Sequence, residues 1–163
     1  MGLYLGFTEL VRAGFAKSVP RLAPVQAACD PIYRAWAADE DDVQAVEKAD
    51  TAAEGISVAK PVRGRTILQA LQESGGYATT VTDEEVWDML QSLGGLGLYV
   101  EPTAAAAPAA FLRLRRQGAI PAGPTVVVIA DEQRPEGDGS NRAALCNRSQ
   151  RLRLTHAARL YSG

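Results

Sequence analysis

Residues 73–85 read Glu-Ser-Gly-Gly-Tyr-Ala-Thr-Thr-Val-Thr-Asp-Glu-Glu, and they contain the end of one helix, a strand and the start of another helix. The glycine pair ends an apolar stripe of helical spacing in residues 63–75, because glycine readily adopts the left-handed conformation found at helix ends. The β-branched run at 77–82 favours a strand. Thr82 or Asp83 then caps a helix whose first turn carries carboxylates, where the helix dipole stabilises them. This order predicts an α/β fold.

The same alternation continues in both directions along the chain. Hydrophobic spacing, proline and glycine positions predict helices at 3–15, 30–37, 63–75, 83–94 and 103–117, and strands at 22–27, 77–82, 98–101 and 125–130. The acidic stretch 37–50 has no periodicity and is predicted to be a surface loop. Alternating short strands and helices favour a parallel sheet with helices on both faces, which is a three-layer α/β/α arrangement.

Composition narrows the function classes. The 163 residues correspond to one domain, 47% of them are hydrophobic and 22% charged, and these fractions are those of an ordinary globular protein. The net charge of -2 gives no reason to expect nucleic acid or an anionic membrane as a partner. Cys29 and Cys146 are too distant for a metal site or disulfide framework, which favours a reducing cytoplasm. Glu9 and Arg12 interrupt the apolar start of the chain, so neither a signal peptide nor a membrane span is predicted.

Two short motifs are candidates for a ligand site. Gly55 follows Glu54 and precedes apolar residues, which suits a turn where the backbone approaches a ligand closely. A plain turn at the start of a strand is the alternative. Glu101 follows the strand-like residues 98–100, and ligands of parallel sheets bind beyond the carboxyl ends of strands. The alternative there is a simple helix start, with a proline in the first turn and Thr103 as a hydrogen-bonding residue.

Taken together and in order, these motifs resemble those of a known family. They resemble the C-terminal part of threonine synthase and its relatives, the pyridoxal-phosphate enzymes built like the tryptophan synthase β subunit. The matching stretches are Gly6-Phe7-Thr8-Glu9-Leu10, Pro20-Arg21 with Val25-Gln26-Ala27, Glu54-Gly55-Ile56, Glu73-Ser74-Gly75-Gly76, Asp83-Glu84-Glu85 and Val100-Glu101-Pro102. The resemblance covers residues 2–129, and threonine dehydratases and other ammonia-lyases of the same fold share much of it.

The resemblance implies pyridoxal phosphate as the cofactor and an amino acid as the substrate of the complete enzyme. By the same resemblance, Glu54 and Gly55 lie on the loop that faces the cofactor ring and the bound amino acid. Glu101 is implied to lie near the pyridine end of the cofactor, and Thr103 at the start of the adjoining helix. In the family a lysine forms a Schiff base with the cofactor.

That lysine has no counterpart in this sequence. The three lysines present are Lys17, Lys48 and Lys60, and none has the sequence context of the family's lysine. We therefore assign no catalytic residue and expect the lysine and the glycine-rich phosphate loop to belong to a preceding part of the enzyme. The chain is expected to be a truncated and inactive product, which needs a missing N-terminal half or forms a homo-oligomer.

The end of the chain departs from the family pattern. Residues 131–137 read Asp-Glu-Gln-Arg-Pro-Glu-Gly, where the family has a Thr or Ser followed by a Ser-Gly-Leu-Lys-like stretch. Reading the codons one nucleotide later permits Thr-Ser-Ser-Gly-Leu-Lys. Our hypothesis is that residues 1–130 form the enzyme domain and that 131–163 is a frameshifted, disordered tail, because it is rich in arginine and lacks apolar periodicity. An evolved basic tail is the alternative.

Two function hypotheses follow from the sequence. The first is part of a threonine-synthase-like enzyme that, when complete, performs β- or γ-elimination or replacement on an amino acid, such as threonine formation from phosphohomoserine. The second is a non-catalytic α/β module that binds a small amino-acid ligand, as regulatory domains do. A cofactor absorbance that depends on a specific lysine distinguishes the two hypotheses.

Overall fold

The computed structural model describes residues 1–130. Its elements in chain order are helix α1 (Gly2–Arg12), strand β1 (Val25–Gln26), helix α2 (Pro31–Ala37), a 3₁₀ helix (Glu54–Ile56), helix α3 (Gly64–Ser74), strand β2 (Thr79–Thr80), helix α4 (Asp83–Gly95) and helix α5 (Pro102–Arg116). All five predicted helices are confirmed, and no end differs by more than three residues. The predictions for residues 131–163 lie outside the described residues.

The two strands pair in parallel. Val25 lies opposite Thr79, and Gln26 lies opposite Thr80. Backbone hydrogen bonds continue the pairing beyond the strands proper, since the amide of Tyr77 donates to the carbonyl of Leu22 at 3.1 Å. The predicted strands 22–27 and 77–82 are therefore aligned along most of their length, and the α/β class with parallel pairing is confirmed.

Two other predicted strands are wrong. The structure assigns no strand to residues 98–101 or 125–130. Both runs are apolar, but Tyr99 is 85% exposed and Val127 is 79% exposed. A strand is stabilised by backbone bonds to a neighbour, and the described residues give neither run a strand to pair with. Apolar composition alone is therefore not sufficient to predict a strand.

Helices cover the strand pair on both faces. One buried cluster joins α4 and α5 to the strands and includes Ala27 and Val81. A second cluster joins α2 and α3 and includes Ala78, with Leu22 packed against it. Side chains alternate between the faces of a strand, so the odd spacing from Ala78 to Val81 places the two clusters on opposite faces. The arrangement is the predicted order of three layers around a short sheet.

Local sequence signals define the helix ends as expected. Gly75 ends α3 in the left-handed conformation, with φ of 63°. The Thr82 hydroxyl accepts a hydrogen bond from the amide of Glu85, whose carboxylate accepts one from the amide of Thr82, so a capping box starts α4. Asp30 precedes α2 without capping it; its carboxylate instead pairs with Arg34 at 2.7 Å. Among residues 1–130, no helix is long and apolar enough to cross a membrane.

Candidate functional site

The candidate site lies where the 3₁₀ helix Glu54–Ile56 meets the first turn of α5. The amide of Gly55 donates a hydrogen bond to the Thr103 hydroxyl oxygen at 3.2 Å. A Cβ atom at position 55 would lie 3.0 Å from both Oγ1 and Cγ2 of Thr103. A methyl group at position 55 would require Thr103 to shift by a few tenths of an ångström, so glycine allows the loop to lie this close to α5.

The start of α5 leaves polar groups available at the site. Glu101 is extended, and its carbonyl accepts bonds from the amides of Ala104 and Ala105 at 3.0 and 3.1 Å. Its carboxylate does not cap the helix. The Thr103 oxygen accepts from Gly55, and its own hydrogen has no acceptor among the described residues. The Thr103 hydroxyl can therefore donate to a ligand, while the carboxylate of Glu101 can accept.

The loop before Gly55 is fixed to the first turn of α4. The carboxylate of Asp83 accepts a hydrogen bond from the Thr51 hydroxyl at 2.5 Å and another from the amide of Ala52 at 3.0 Å. The amide of Ala53 in turn donates to the Thr51 hydroxyl oxygen at 3.2 Å. Ala53 is fully buried, and the 3₁₀ helix begins at the next residue.

The other end of the loop contacts a buried thiol just beyond β1. The Cys29 sulfur accepts hydrogen bonds from the amide of Ala49 at 3.2 Å and from the Ser57 hydroxyl at 3.3 Å. The Ala49 bond, and then the Ser57 bond, lower the pKa of Cys29 below its ordinary value, because both stabilise the thiolate. Cys29 is a free cysteine and is completely buried. It acts here as an internal anchor for the loop 49–57.

The four site residues predicted from sequence are brought together unequally. Gly55 and Thr103 are in direct contact. Glu54 is exposed on the same 3₁₀ helix, and Glu101 is half-buried two residues before Thr103. No hydrogen bond joins Glu54 to Glu101 in the described part of the chain. The structure thus joins the two segments through the hydrogen bond from Gly55 to Thr103, and neither carboxylate takes part in that bond.

Sequence reasoning missed the two anchors of the loop. The sequence suggests Asp83 only as a possible helix cap and as part of the Asp83-Glu84-Glu85 motif, and Cys29 only as a cysteine far from Cys146. Their partners lie 32 residues away for Asp83 and Thr51, and 28 residues away for Cys29 and Ser57. No local pattern reveals such pairs. The sequence does show an aspartate at the start of a helix and a Thr-Ala-Ala stretch at 51–53, but neither feature indicates the other as its partner.

Comparisons with known proteins show the family of this chain. Residues 1–131 match the family model described as pyridoxal-phosphate dependent enzyme. The chain is 36% identical over 130 residues to a threonine synthase of Methanosarcina acetivorans, covering 78% of this chain and 32% of the relative. It is 31% identical over 129 residues to a threonine synthase of Methanocaldococcus jannaschii, with the same two coverages. The chain thus spans about a third of the length of these curated relatives.

A solved structure shows the same fold. The crystal structure of a threonine deaminase, whose source is abbreviated T.th., superimposes with a TM-score of 0.54 at 25% identity. The match covers 71% of this chain and 41% of that protein. The fold and the family resemblance inferred from the sequence motifs are therefore both confirmed.

The residues present fit one part of a pyridoxal-phosphate site. Gly55 is exposed, and the hydroxyl hydrogen of Thr103 has no acceptor among the described residues, so a ring can face both groups. The covalent anchor does not fit, because Lys17, Lys48 and Lys60 are all exposed. A Schiff-base lysine is usually activated by desolvation or by a neighbouring cation. No catalytic step through the cofactor follows from these residues alone.

Proposed function

Because this chain belongs to the pyridoxal-phosphate dependent enzyme family, we propose that it forms the ring-facing part of a threonine-synthase-like enzyme. The observation that carries the proposal is the contact between Gly55 and Thr103, which joins the two segments that family resemblance assigns to the cofactor. When bound, pyridoxal phosphate supplies an electron sink for a carbanion formed on an amino acid. The described residues 1–130 form the enzyme domain in this proposal, and 131–163 a separate tail.

Each candidate residue has a role that its geometry allows. The loop with Glu54 and Gly55 faces the ring and the amino acid, and both residues are exposed. The Thr103 hydroxyl donates a hydrogen bond from the start of α5. The carboxylate of Glu101, which does not cap α5, accepts a hydrogen bond near the pyridine end of the cofactor. These residues bind and orient; none of them provides the reactive amine.

Catalysis in this proposal requires polypeptide beyond the described residues. The relatives' names indicate threonine synthase chemistry, and the solved neighbour is a threonine deaminase. We propose that the complete enzyme performs β- or γ-elimination or replacement on an amino acid, with threonine formation from phosphohomoserine as the first candidate. The chain alone is inactive because its three lysines are exposed and outside the family's context.

Exposed apolar surface supports association with further polypeptide. Helix α1 has no buried residue, and Leu3 and Leu10, which lie seven positions apart on one face of it, are 50% and 43% exposed. Large exposed apolar patches are typical of interaction surfaces. The missing part of the enzyme is the proposed occupant, and a homo-oligomer is the competing outcome of the same measurement. The buried free thiol of Cys29 supports a reducing cytoplasm as the location.

Trapping the cofactor on lysine tests this proposal. The purified chain is mixed with pyridoxal phosphate, reduced with borohydride and mapped by peptide mass spectrometry. The proposal predicts weak labelling spread over the three surface lysines, with no stoichiometric adduct. A single stoichiometric adduct at Lys60 that disappears in Lys60→Ala, while Lys17→Ala and Lys48→Ala retain it, would contradict the assignment of the reactive amine to another segment.

A non-catalytic binding module is the second candidate function. The observation that favours it is the free hydroxyl hydrogen of Thr103 in a chain whose lysines are all exposed. This candidate predicts saturable binding of an amino acid to the chain alone, without cofactor, that is lost in Thr103→Val. Calorimetric titration with threonine and serine measures it. Absence of such binding leaves the enzyme proposal as the better account.

A further inference from the structure

We propose that Asp83 is a positioning residue for the candidate site, through its hold on the loop that carries Gly55. Asp83 touches neither Gly55 nor Thr103, so the proposed action is indirect. The inference rests on the proposed function only for the identity of the group that the loop faces. That Asp83 holds residues 51–55 in place is inferred from hydrogen bonds among the described residues alone.

The two hydrogen bonds to Asp83 hold one side of the loop 51–55. Its two carboxylate oxygens accept separately, one from the Thr51 hydroxyl and one from the amide of Ala52. Thr51 is buried and Asp83 is half-buried, so water competes only weakly for these bonds. Hydrogen bonds to an ionised acceptor are among the strongest in proteins.

A chain of hydrogen bonds runs from Asp83 to the 3₁₀ helix. Thr51 donates to Asp83 and accepts from the amide of Ala53. The carbonyl of Ala53 then accepts from the amide of Ile56 at 3.1 Å, which closes the turn around Gly55. Because each of these residues takes part in two successive bonds, moving the carboxylate of Asp83 also moves Thr51 and Ala53. The turn that contains Gly55 is then disturbed.

The position of Asp83 connects the loop to both helices that frame the site. Asp83 is the first residue of α4, and Thr103 lies in the first turn of α5. Helices α4 and α5 pack against each other through buried residues that include Val86, Ala105 and Ala109. The loop is therefore held between the N-terminal ends of a packed helix pair, by Asp83 on one side and Thr103 on the other.

Asp83→Asn is a sharp probe because it preserves shape and removes one acceptor. A carboxylate has two acceptor oxygens, whereas an amide has one oxygen and an NH₂ donor. The NH₂ would face either the Thr51 hydroxyl or the amide of Ala52. The hydroxyl can rotate and the backbone amide cannot, so the amide oxygen would face Ala52. The Thr51 hydroxyl would lose its ionised acceptor, and the neutral NH₂ group could only donate back to the Thr51 oxygen, which is a weaker bond of reversed direction.

Glu84→Gln is the matched control. Glu84 is the next residue in the same first turn of α4, is exposed, and makes no contact with the loop among the described residues. It removes the same charge from the same helix end, so both variants change the interaction with the helix dipole in the same way. Any difference between the two variants reports the bonds from Asp83 to the loop.

Hydrogen exchange of individual amides, read by NMR on the full chain without cofactor, tests the proposal. In Asp83→Asn, the amides of Ala53 and Gly55 are expected to exchange about tenfold faster, which corresponds to loss of one charge-assisted hydrogen bond. The amide of Ala49, which donates to Cys29, is expected to keep its protection. In Glu84→Gln all three are expected to match the unmodified chain.

Two results would overturn the proposal. One is unchanged exchange at Gly55 in Asp83→Asn, and the other is equal acceleration of Ala49, Ala53 and Gly55, which indicates general destabilisation. If Asp83→Asn does not fold, Thr51→Val provides the same test, because it removes the intermediate hydroxyl. Faster exchange of Gly55 in Asp83→Asn, found together with a reconstituted enzyme that is folded but inactive with pyridoxal phosphate, would support the positioning role and contradict the proposed function, so the two failures are distinguishable.

Discussion

The Gly55 amide nitrogen lies 3.2 Å from the Thr103 hydroxyl oxygen, across 48 positions of sequence. This single bond joins the 3₁₀ helix Glu54–Ile56 to the start of α5. A Cβ at position 55 would lie 3.0 Å from the Thr103 side chain, and the Thr103 hydroxyl hydrogen has no acceptor among the described residues. The candidate site therefore depends on the backbone of one residue and the side chain of the other.

Gly55→Ala is expected to destabilise the chain by about 1–3 kcal/mol, the usual cost of overpacking. Its new Cβ would lie 3.0 Å from Thr103, so the loop has to move and the hydrogen bond is lost. Urea denaturation measures the effect. In a Thr103→Ala background the same substitution should cost clearly less. Equal costs in the two backgrounds would show that the contact does not constrain the loop.

Gly76→Ala is expected to destabilise by about 3 kcal/mol or to prevent folding, which is the upper range for overpacking. A Cβ at position 76 would lie 2.1 Å from the carbonyl oxygen of Leu22, in backbone that cannot yield without breaking the strand pairing. Gly94→Ala in α4 is the control, with nothing within 4 Å. It should be neutral or stabilising by about 0.5–1 kcal/mol, since alanine favours a helix. Similar thermal midpoints for both variants would contradict the strand register.

Thr82→Ala is expected to cost about 1 kcal/mol by removing the capping box at the start of α4. Thr82→Ser keeps a hydroxyl in the same place and serves as the control. Thermal unfolding followed by circular dichroism compares the two variants. A serine variant as unstable as the alanine variant would indicate that the threonine methyl group, and not the cap, stabilises the helix.

Ser57→Ala is expected to raise the pKa of Cys29 towards its ordinary value, because the Ser57 hydroxyl donates to the sulfur and stabilises the thiolate. The pH dependence of ultraviolet thiolate absorbance measures this shift in a Cys146→Ser background, where Cys29 is the one remaining thiol. Ser18→Ala, at an exposed position, is the control and should leave the titration unchanged. A thiol pKa that is equal or lower in Ser57→Ala would show that the hydroxyl does not donate to Cys29.

Local signals in the sequence were sufficient for the helices and insufficient for the sheet. Gly75 and Thr82 define helix ends through their own backbone and side-chain chemistry, so their roles were predictable. Residues 125–130 carry the composition of a strand, but a strand also needs a neighbour that composition does not specify. Their exposed valines in the described structure reflect that missing neighbour.

The site was predictable only in part, for the same reason. Gly55 and Thr103 were identified as candidates by the order of motifs, and the structure places them in contact. The link from Asp83 to Thr51 crosses 32 residues and depends on how α4 packs beside the loop. A single sequence contains no periodicity that reports such a distance. The bond between Asp83 and Thr51, which anchors the loop across a long stretch of sequence, is therefore visible only in the structure.

Reconstitution of activity from two polypeptides tests whether this chain supplies the ring-facing part of a threonine-synthase-like enzyme. The chain is co-expressed with the segment of the Methanosarcina acetivorans threonine synthase that lies outside the aligned 130 residues. Threonine formation from phosphohomoserine is then measured with pyridoxal phosphate present. We expect no activity for either polypeptide alone, activity for the pair, and loss of that activity when the pair carries Gly55→Ala. Activity of this chain alone, or a pair that is inactive although the two polypeptides co-purify as a folded complex, would contradict the proposed function.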